Sequence, residues 1–299
     1  MTFVLIASAA ISLLAVGVIG WYSRPAGRTR AAHHVARTVD LGLDPDVERS
    51  VAARLSRREV MGGVGGLVTM WGTVGLLAAT TDVLEAAFAP LLVAVGYLLG
   101  HAVGYGVVAW DESRRPAAAG PRIARASSPG HGDYVARHER WGAWAAAGVA
   151  TLVAAGFVVL DLVLGVPEMP WPLVVATAVL PWLAIGLDEA LARRLLDRRQ
   201  VASTTLELAW DDAMRARTLR DMVTVPLVLG LYLPLVLTGV IADASEGGWP
   251  ANPMVGITSG VFLGVLGGAC LMGAISMALT PQRHFRTRLW PRPVEQVAR

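Results

Sequence analysis

Seven stretches in which nearly every residue is apolar punctuate the chain, at residues 3–21, 61–81, 84–110, 141–163, 171–187, 222–241 and 253–279. Each is 17 to 27 residues long, and about 20 residues of helix cross the ~30 Å hydrocarbon layer of a bilayer. Uninterrupted apolar runs of this length predict membrane-spanning helices rather than strands. The third and seventh are long enough to tilt or to emerge from the bilayer. The connections between the runs differ sharply in charge. Eight arginines lie between the first and second, six between the third and fourth, seven between the fifth and sixth, and five in the tail, which accounts for all 26 basic residues of a chain without lysine. The connections around 81–82, 167–171 and 243–252 contain none. Basic loops resist translocation and stay cytoplasmic. The pattern therefore predicts an all-α bundle of seven transmembrane helices, with the amino terminus outside and the carboxy terminus inside.

Composition agrees with this class. Of 299 residues, 54% are hydrophobic and 16% charged, with a mean hydropathy of +0.52, which excludes an ordinary soluble domain. A cleaved signal peptide would carry its positive charge before the first apolar core. Here the charge follows the core, at Arg24, Arg28 and Arg30, so the first run reads as an uncleaved anchor. The single cysteine, Cys270, falls inside the last run and leaves no intramolecular disulfide. A pI near 9.5 would suggest nucleic acid in a soluble protein, but threading explains the charge and no nucleic-acid partner is expected. The expected surroundings are the bilayer of the cytoplasmic membrane and its anionic headgroups.

The three arginine-bearing connections share a two-part pattern. Its first part is Val35-Ala36-Arg37-Thr38, Ile123-Ala124-Arg125-Ala126 and Val201-Ala202-Ser203-Thr204. Its second is A-R-x-x-R ahead of a helix, at 53–57, 136–140 and 216–220, and acidic pairs match at Asp111-Glu112 and Asp188-Glu189. The implied unit is a helix–loop–helix hairpin. Three parallel copies, 1–81, 84–163 and 171–241, would be followed by a seventh helix at 253–279 and a cytoplasmic tail at 280–299, one membrane domain in all. Arg122, Ala124, Asp133 and Tyr134 resemble the basic R-x-A…D-Y passages of a group of actinobacterial multi-pass membrane proteins. That resemblance implies a fold and a location, and no activity. Thr204-x-x-Glu207 reads as a capping box, followed by Leu206, Trp210, Ala213 and Met214 on one face. Such a helix suits the membrane interface, with Trp210 at headgroup level. Arg54, Arg57, Arg137, Arg140, Arg217 and Arg220 are then the expected contacts for anionic lipid or a cytoplasmic protein partner.

Ionisable residues at bilayer depth point to function, and His101 is the one near the midplane. Tyr97, His101 and Tyr105 recur every fourth residue and form a stripe, beside a second stripe of Gly96, Gly100 and Gly104 that permits close helix approach. The stripe, with Tyr232 near Pro226 and Pro234, predicts a polar pocket between helices. A backbone carbonyl, Thr69 or Thr73 is the alternative partner for a purely structural histidine. Gly256, Gly260, Gly264 and Gly268 form another packing stripe in the seventh run. Enzyme motifs are incomplete. His138-Glu139 lacks the second histidine of a zincin helix, and Asp40-x-x-x-Asp44 lacks the second acidic motif of a prenyl-diphosphate site. No catalytic residue, metal or cofactor is expected. The reading that follows is a non-enzymatic transport protein or transport-complex component with a substrate passing near His101. A regulatory protein that recruits a partner through its arginine loops, and an inner-leaflet enzyme acting on a phosphorylated lipid through Asp40 and Asp44, are the alternatives.

Overall fold

The computed structural model describes residues 2–79, 89–114, 129–164, 169–197, 200, 202–246 and 284–290. These residues form nine helices and no strand: α1 (Thr2–Ser23), α2 (Pro25–Val39), α3 (Pro45–Ala79), α4 (Ala89–Arg114), α5 (His131–Tyr134), α6 (Arg137–Leu164), α7 (Trp171–Asp197), α8 (Thr205–Glu246) and α9 (His284–Leu289). Six are long and apolar enough to cross a membrane, namely α1, α3, α4, α6, α7 and α8. The run expected at 253–279, with Gly256, Gly260, Gly264 and Gly268, lies outside the described residues, as do Cys270, Arg122 and Ala124.

The spans pack in two groups. In the first, α3 lies between α1 and α4; in the second, α6, α7 and α8 each touch the other two, and α4 joins the groups by packing on α8. The 35 residues of α3 and 42 of α8, at 1.5 Å each, make helices about 50 and 60 Å long. A ~30 Å apolar layer accommodates only part of each. Their amino-terminal turns carry the arginines and continue past the apolar runs without a break. Asp44 and Pro45 start α3, with the Glu48 N–H donating to the Asp44 carbonyl at 2.7 Å. At the head of α8 the Glu207 N–H donates to Thr204 Oγ1 at 3.1 Å, while the Glu207 carboxylate accepts from the Ser203 N–H at 2.8 Å. Pro226 and Pro234 both sit inside α8, and Pro181 inside α7.

These protruding turns form a layer with α2, α5 and α9, whose core holds Val35, Val39, Leu55, Tyr134, Trp210, Phe285 and Trp290. The apolar runs do not predict α2, because its buried stripe is short and half alanine. It ends on Asp40, the one non-glycine described residue with positive φ, at 56°. There the Leu41 N–H reaches back to the Ala36 carbonyl at 3.1 Å, closing the helix in the manner of a Schellman turn. Trp210 corrects an expectation. It is 2% exposed, and its indole N–H donates to the Gly42 carbonyl at 2.9 Å. The apolar face of α8's first turns meets protein and not headgroups.

Candidate functional site

The stripe on α4 lies over the backbone of α3. A Cβ added to Gly66 would sit 2.6 Å from the Tyr97 ring, and one on Gly62 would sit 2.6 Å from Tyr105 and 3.0 Å from His101. The glycines of α4 reciprocate: a Cβ on Gly104 would meet the Met61 carbonyl at 2.2 Å, and one on Gly96 would meet Thr73 Oγ1 at 2.4 Å. Thr69 crosses the seam, its hydroxyl donating to the Gly96 carbonyl at 2.7 Å. Each helix therefore supplies small residues where the other supplies bulk. The rings meet in sequence, Tyr97 stacked on His101 at 5.6 Å and His101 edge-to-face with Tyr105 at 4.5 Å between centroids.

From the stripe a series of hydrogen bonds leads toward the arginine end. His101 Nε2 and Tyr105 Oη are 2.8 Å apart. Tyr105 donates to Glu59 Oε2 at 2.7 Å, and Glu59 Oε1 accepts from Arg217 Nη2 at 2.7 Å. Arg58 lies 4.3 Å above the Tyr105 ring, donates to Thr218 Oγ1 at 2.6 Å and pairs with Asp221. Arg58, Glu59 and Tyr105 are 5%, 7% and 8% exposed. Burial at this level requires pairing, since removing one partner strands the other charge at a cost of about 3–5 kcal/mol. His101 stands nine residues past Leu92 and eleven before Glu112, the ends of its span, so it is about 14–17 Å from either end.

Around this series four more arginines are tied to carboxylates. Arg54 reaches Glu112 at 3.2 Å and Asp211 at 3.3 Å, linking α3 to both α4 and α8. Arg57 meets Asp111 at 2.6 Å, Arg215 meets Asp211 at 3.2 Å and Arg220 meets Glu139 at 2.7 Å. Arg140 is half-buried and Arg137 exposed, so of the six arginines expected at lipid or a partner, Arg137 is the most open to solvent. Asp212, fully buried, accepts from Tyr134 at 2.8 Å, Gln200 at 2.6 Å and Trp290 at 2.9 Å. A cavity of about 170 Å³ opens beside it, lined by Glu139, Arg217, Arg220, Asp221, Thr224 and Phe285 among others. Arg217 belongs both to this wall and to the series that ends at His101. Nearby, His131 Nε2 is buried without a hydrogen-bond partner. Burial, then the charge of Arg140, push the His131 imidazole down to about 4.

Several expected residues fall elsewhere. Tyr232 packs in a separate cluster with Val95, Leu99, Leu229 and Leu233. Thr69 and Thr73 bond to backbone carbonyls, and His101 meets the Tyr105 hydroxyl and the Gly62 backbone. Asp40 serves to end α2, and among the described residues no three His, Cys, Asp or Glu side chains gather to hold a metal. Glu59, Arg58, Asp221 and the α3 glycines were not expected. Their signal is present in Arg58-Glu59-Val60-Met61-Gly62-Gly63, where an acid sits at the mouth of an apolar run and on the face of two glycines.

Six apolar helices with their arginines gathered at one end define a multi-pass membrane protein. No known family model, curated protein or solved structure matches the chain.

Proposed function

We propose that the chain is a transport protein of the cytoplasmic membrane, or the membrane component of a transport complex, with its arginine end facing the cytoplasm. One observation supports this above others. An unbroken hydrogen-bonded series runs from a cavity at the arginine end, through Arg217, Glu59 and Tyr105, to His101 at mid-depth. A bundle that only had to cohere would fill this seam with apolar side chains, because ionisable groups at bilayer depth are costly and face protein interiors or water-filled paths. The cavity suits a small polar solute, and its wall of two arginines, Glu139 and Asp221 offers partners of both signs.

The test is a thermal-shift screen of the purified protein against inorganic ions, amino acids, monosaccharides and nucleobases, followed by flux of each hit in proteoliposomes. A true ligand at ten times its Kd stabilises the folded state by about 1.4 kcal/mol. At least one solute is expected to stabilise the protein and to cross faster than in protein-free liposomes. If none does either, the transport reading is wrong.

A further inference from the structure

We propose that the arginine-end cavity binds a small apolar α-amino acid as its zwitterion, with the carboxylate on Arg217 and the ammonium on Asp221. Such a ligand would be the solute of the transport reading, on which this inference rests. The polar groups of the wall differ in how much bonding capacity they have left. Glu139 is spent, because Oε1 accepts from Arg220 at 2.7 Å and Oε2 accepts from the Ala136 N–H at 3.3 Å. Tyr134 turns its hydroxyl to Asp212, and His284 meets the Gly132 carbonyl. Arg217 gives one Nη2 bond to Glu59 out of about five N–H donors in a guanidinium. Asp221 meets Arg58 through Oδ2 alone. Among the described residues neither Arg217 nor Asp221 makes a further side-chain hydrogen bond. Their side chains keep 23% and 32% exposure, so the spare donors and the spare oxygen are open at the cavity they line.

The two residues are four positions apart on α8, which sets their Cβ atoms about 5–6 Å from one another. Opposite charges at that spacing can pair along a helix. Here each is drawn to α3 instead, Arg217 to Glu59 and Asp221 to Arg58. They stand side by side without joining, a donor fork beside an acceptor, and the carboxylate and ammonium of an α-amino acid complement both. Charge balance points the same way. Arg58, Glu59, Arg217 and Asp221 hold two charges of each sign, and the Arg220–Glu139 pair adds one of each. A zwitterion leaves that balance intact, whereas a lone anion or cation would bring an uncompensated charge into a partly buried site.

The rest of the wall sets the side chain. Val35 and Val39 of α2, Ala213 of α8 and Phe285 of α9 supply apolar surface. An apolar cavity of about 150 Å³ holds benzene, with about six non-hydrogen atoms. The volume here, about 170 Å³, then suits about six to eight, the range from alanine to valine, and excludes tryptophan.

Isothermal titration of the full chain in nanodiscs tests the assignment. L-alanine and L-valine are expected to bind and L-tryptophan is not. Isovalerate lacks the ammonium of valine and isobutylamine lacks its carboxylate, so each should bind at least about tenfold more weakly. Arg217→Lys keeps a charge opposite Glu59 but loses the fork, and Asp221→Asn keeps the shape but loses the charge. Each should weaken valine at least about tenfold. Valine should also slow hydrogen exchange in residues 284–290, which locates the site in the wild type if either variant folds poorly. Three results each overturn the assignment: no binding of alanine or valine, equal binding of isovalerate or isobutylamine, or valine binding that neither substitution weakens and that leaves 284–290 unprotected. Amino-acid binding without flux removes transport and keeps the site. Flux of another solute class without amino-acid binding removes this ligand and keeps transport.

Discussion

Substituting Gly100 by alanine should destabilise the protein, while the same change at Gly106, six residues along the same helix, should not. A Cβ on Gly100 would lie 1.8 Å from Thr69 Oγ1, 2.2 Å from the Gly65 carbonyl oxygen and 2.7 Å from its carbon. The threonine can rotate away, but the α3 backbone cannot. Ordinary contact begins near 3.4 Å, so the helices must part by about 1 Å, an overpacking strain of about 1–3 kcal/mol. Parting also weakens the Thr69 bond to the Gly96 carbonyl at 2.7 Å, with about 0.6 kcal/mol typical of such a bond within a membrane. Against this, alanine gains about 0.5–1 kcal/mol over glycine inside a helix. The net expectation is a loss of about 1–3 kcal/mol. Gly106 has no atom within 4 Å of its added Cβ and should show only the gain of about 0.5–1 kcal/mol. Equilibrium unfolding of both variants in one detergent measures the contrast. If Gly100→Ala is as stable as Gly106→Ala, the backbones of α3 and α4 do not meet at Gly65.

In a Cys270→Ala background, a cysteine at Glu246 should react with an impermeant thiol reagent in intact cells, and one at Arg49 only after permeabilisation; the reverse pattern would invert the topology. Asp212→Ala removes the acceptor shared by Tyr134, Gln200 and Trp290, and should cost about 3 kcal/mol and expose the Trp290 segment to protease; unchanged stability and protection would mean that this layer does not fasten it. His131 has its imidazole held down at about 4, against about 6.5 when unfolded. The unfolded state therefore binds more protons between those values, so the contribution is complete above about pH 6.5 and fades as pH falls toward 4. Unfolding at about pH 7.5 and pH 5 should show this loss in the wild type and a smaller one in His131→Gln; equal losses would place the sensitivity elsewhere.

The apolar periods made the spans and the α4 stripe legible, because hydrocarbon thickness and helical rise leave little freedom in either. They could not show what covers an amphipathic face. Leu206, Trp210, Ala213 and Met214 require burial, and lipid or protein satisfies that requirement equally; only the assembled layer of α2, α5 and α9 shows that protein does. The alanine-rich stripe of α2 carries too little hydrophobic contrast to register as a helix that must pack.

The arginines were legible in one role and not in another. Their count on alternate loops predicts a threading whatever they touch, because translocation is resisted by the charge itself. Which carboxylate each one meets depends on tertiary approach: Arg54 pairs with Asp211, Arg58 with Asp221 and Arg217 with Glu59, each across some 160 positions of chain. The acidic pair Asp111-Glu112, read from the sequence as a mark of repetition, also supplies the counter-charge for Arg57 and Arg54. The two roles support each other physically. Arginines gathered at one end must still be desolvated where α3, α4 and α8 converge, and carboxylates on those helices offset that cost. Glu59 is one of these carboxylates, and its second oxygen accepts from Tyr105. The charge pattern from which the threading is predicted thus continues, through one shared carboxylate, into the polar series that reaches His101.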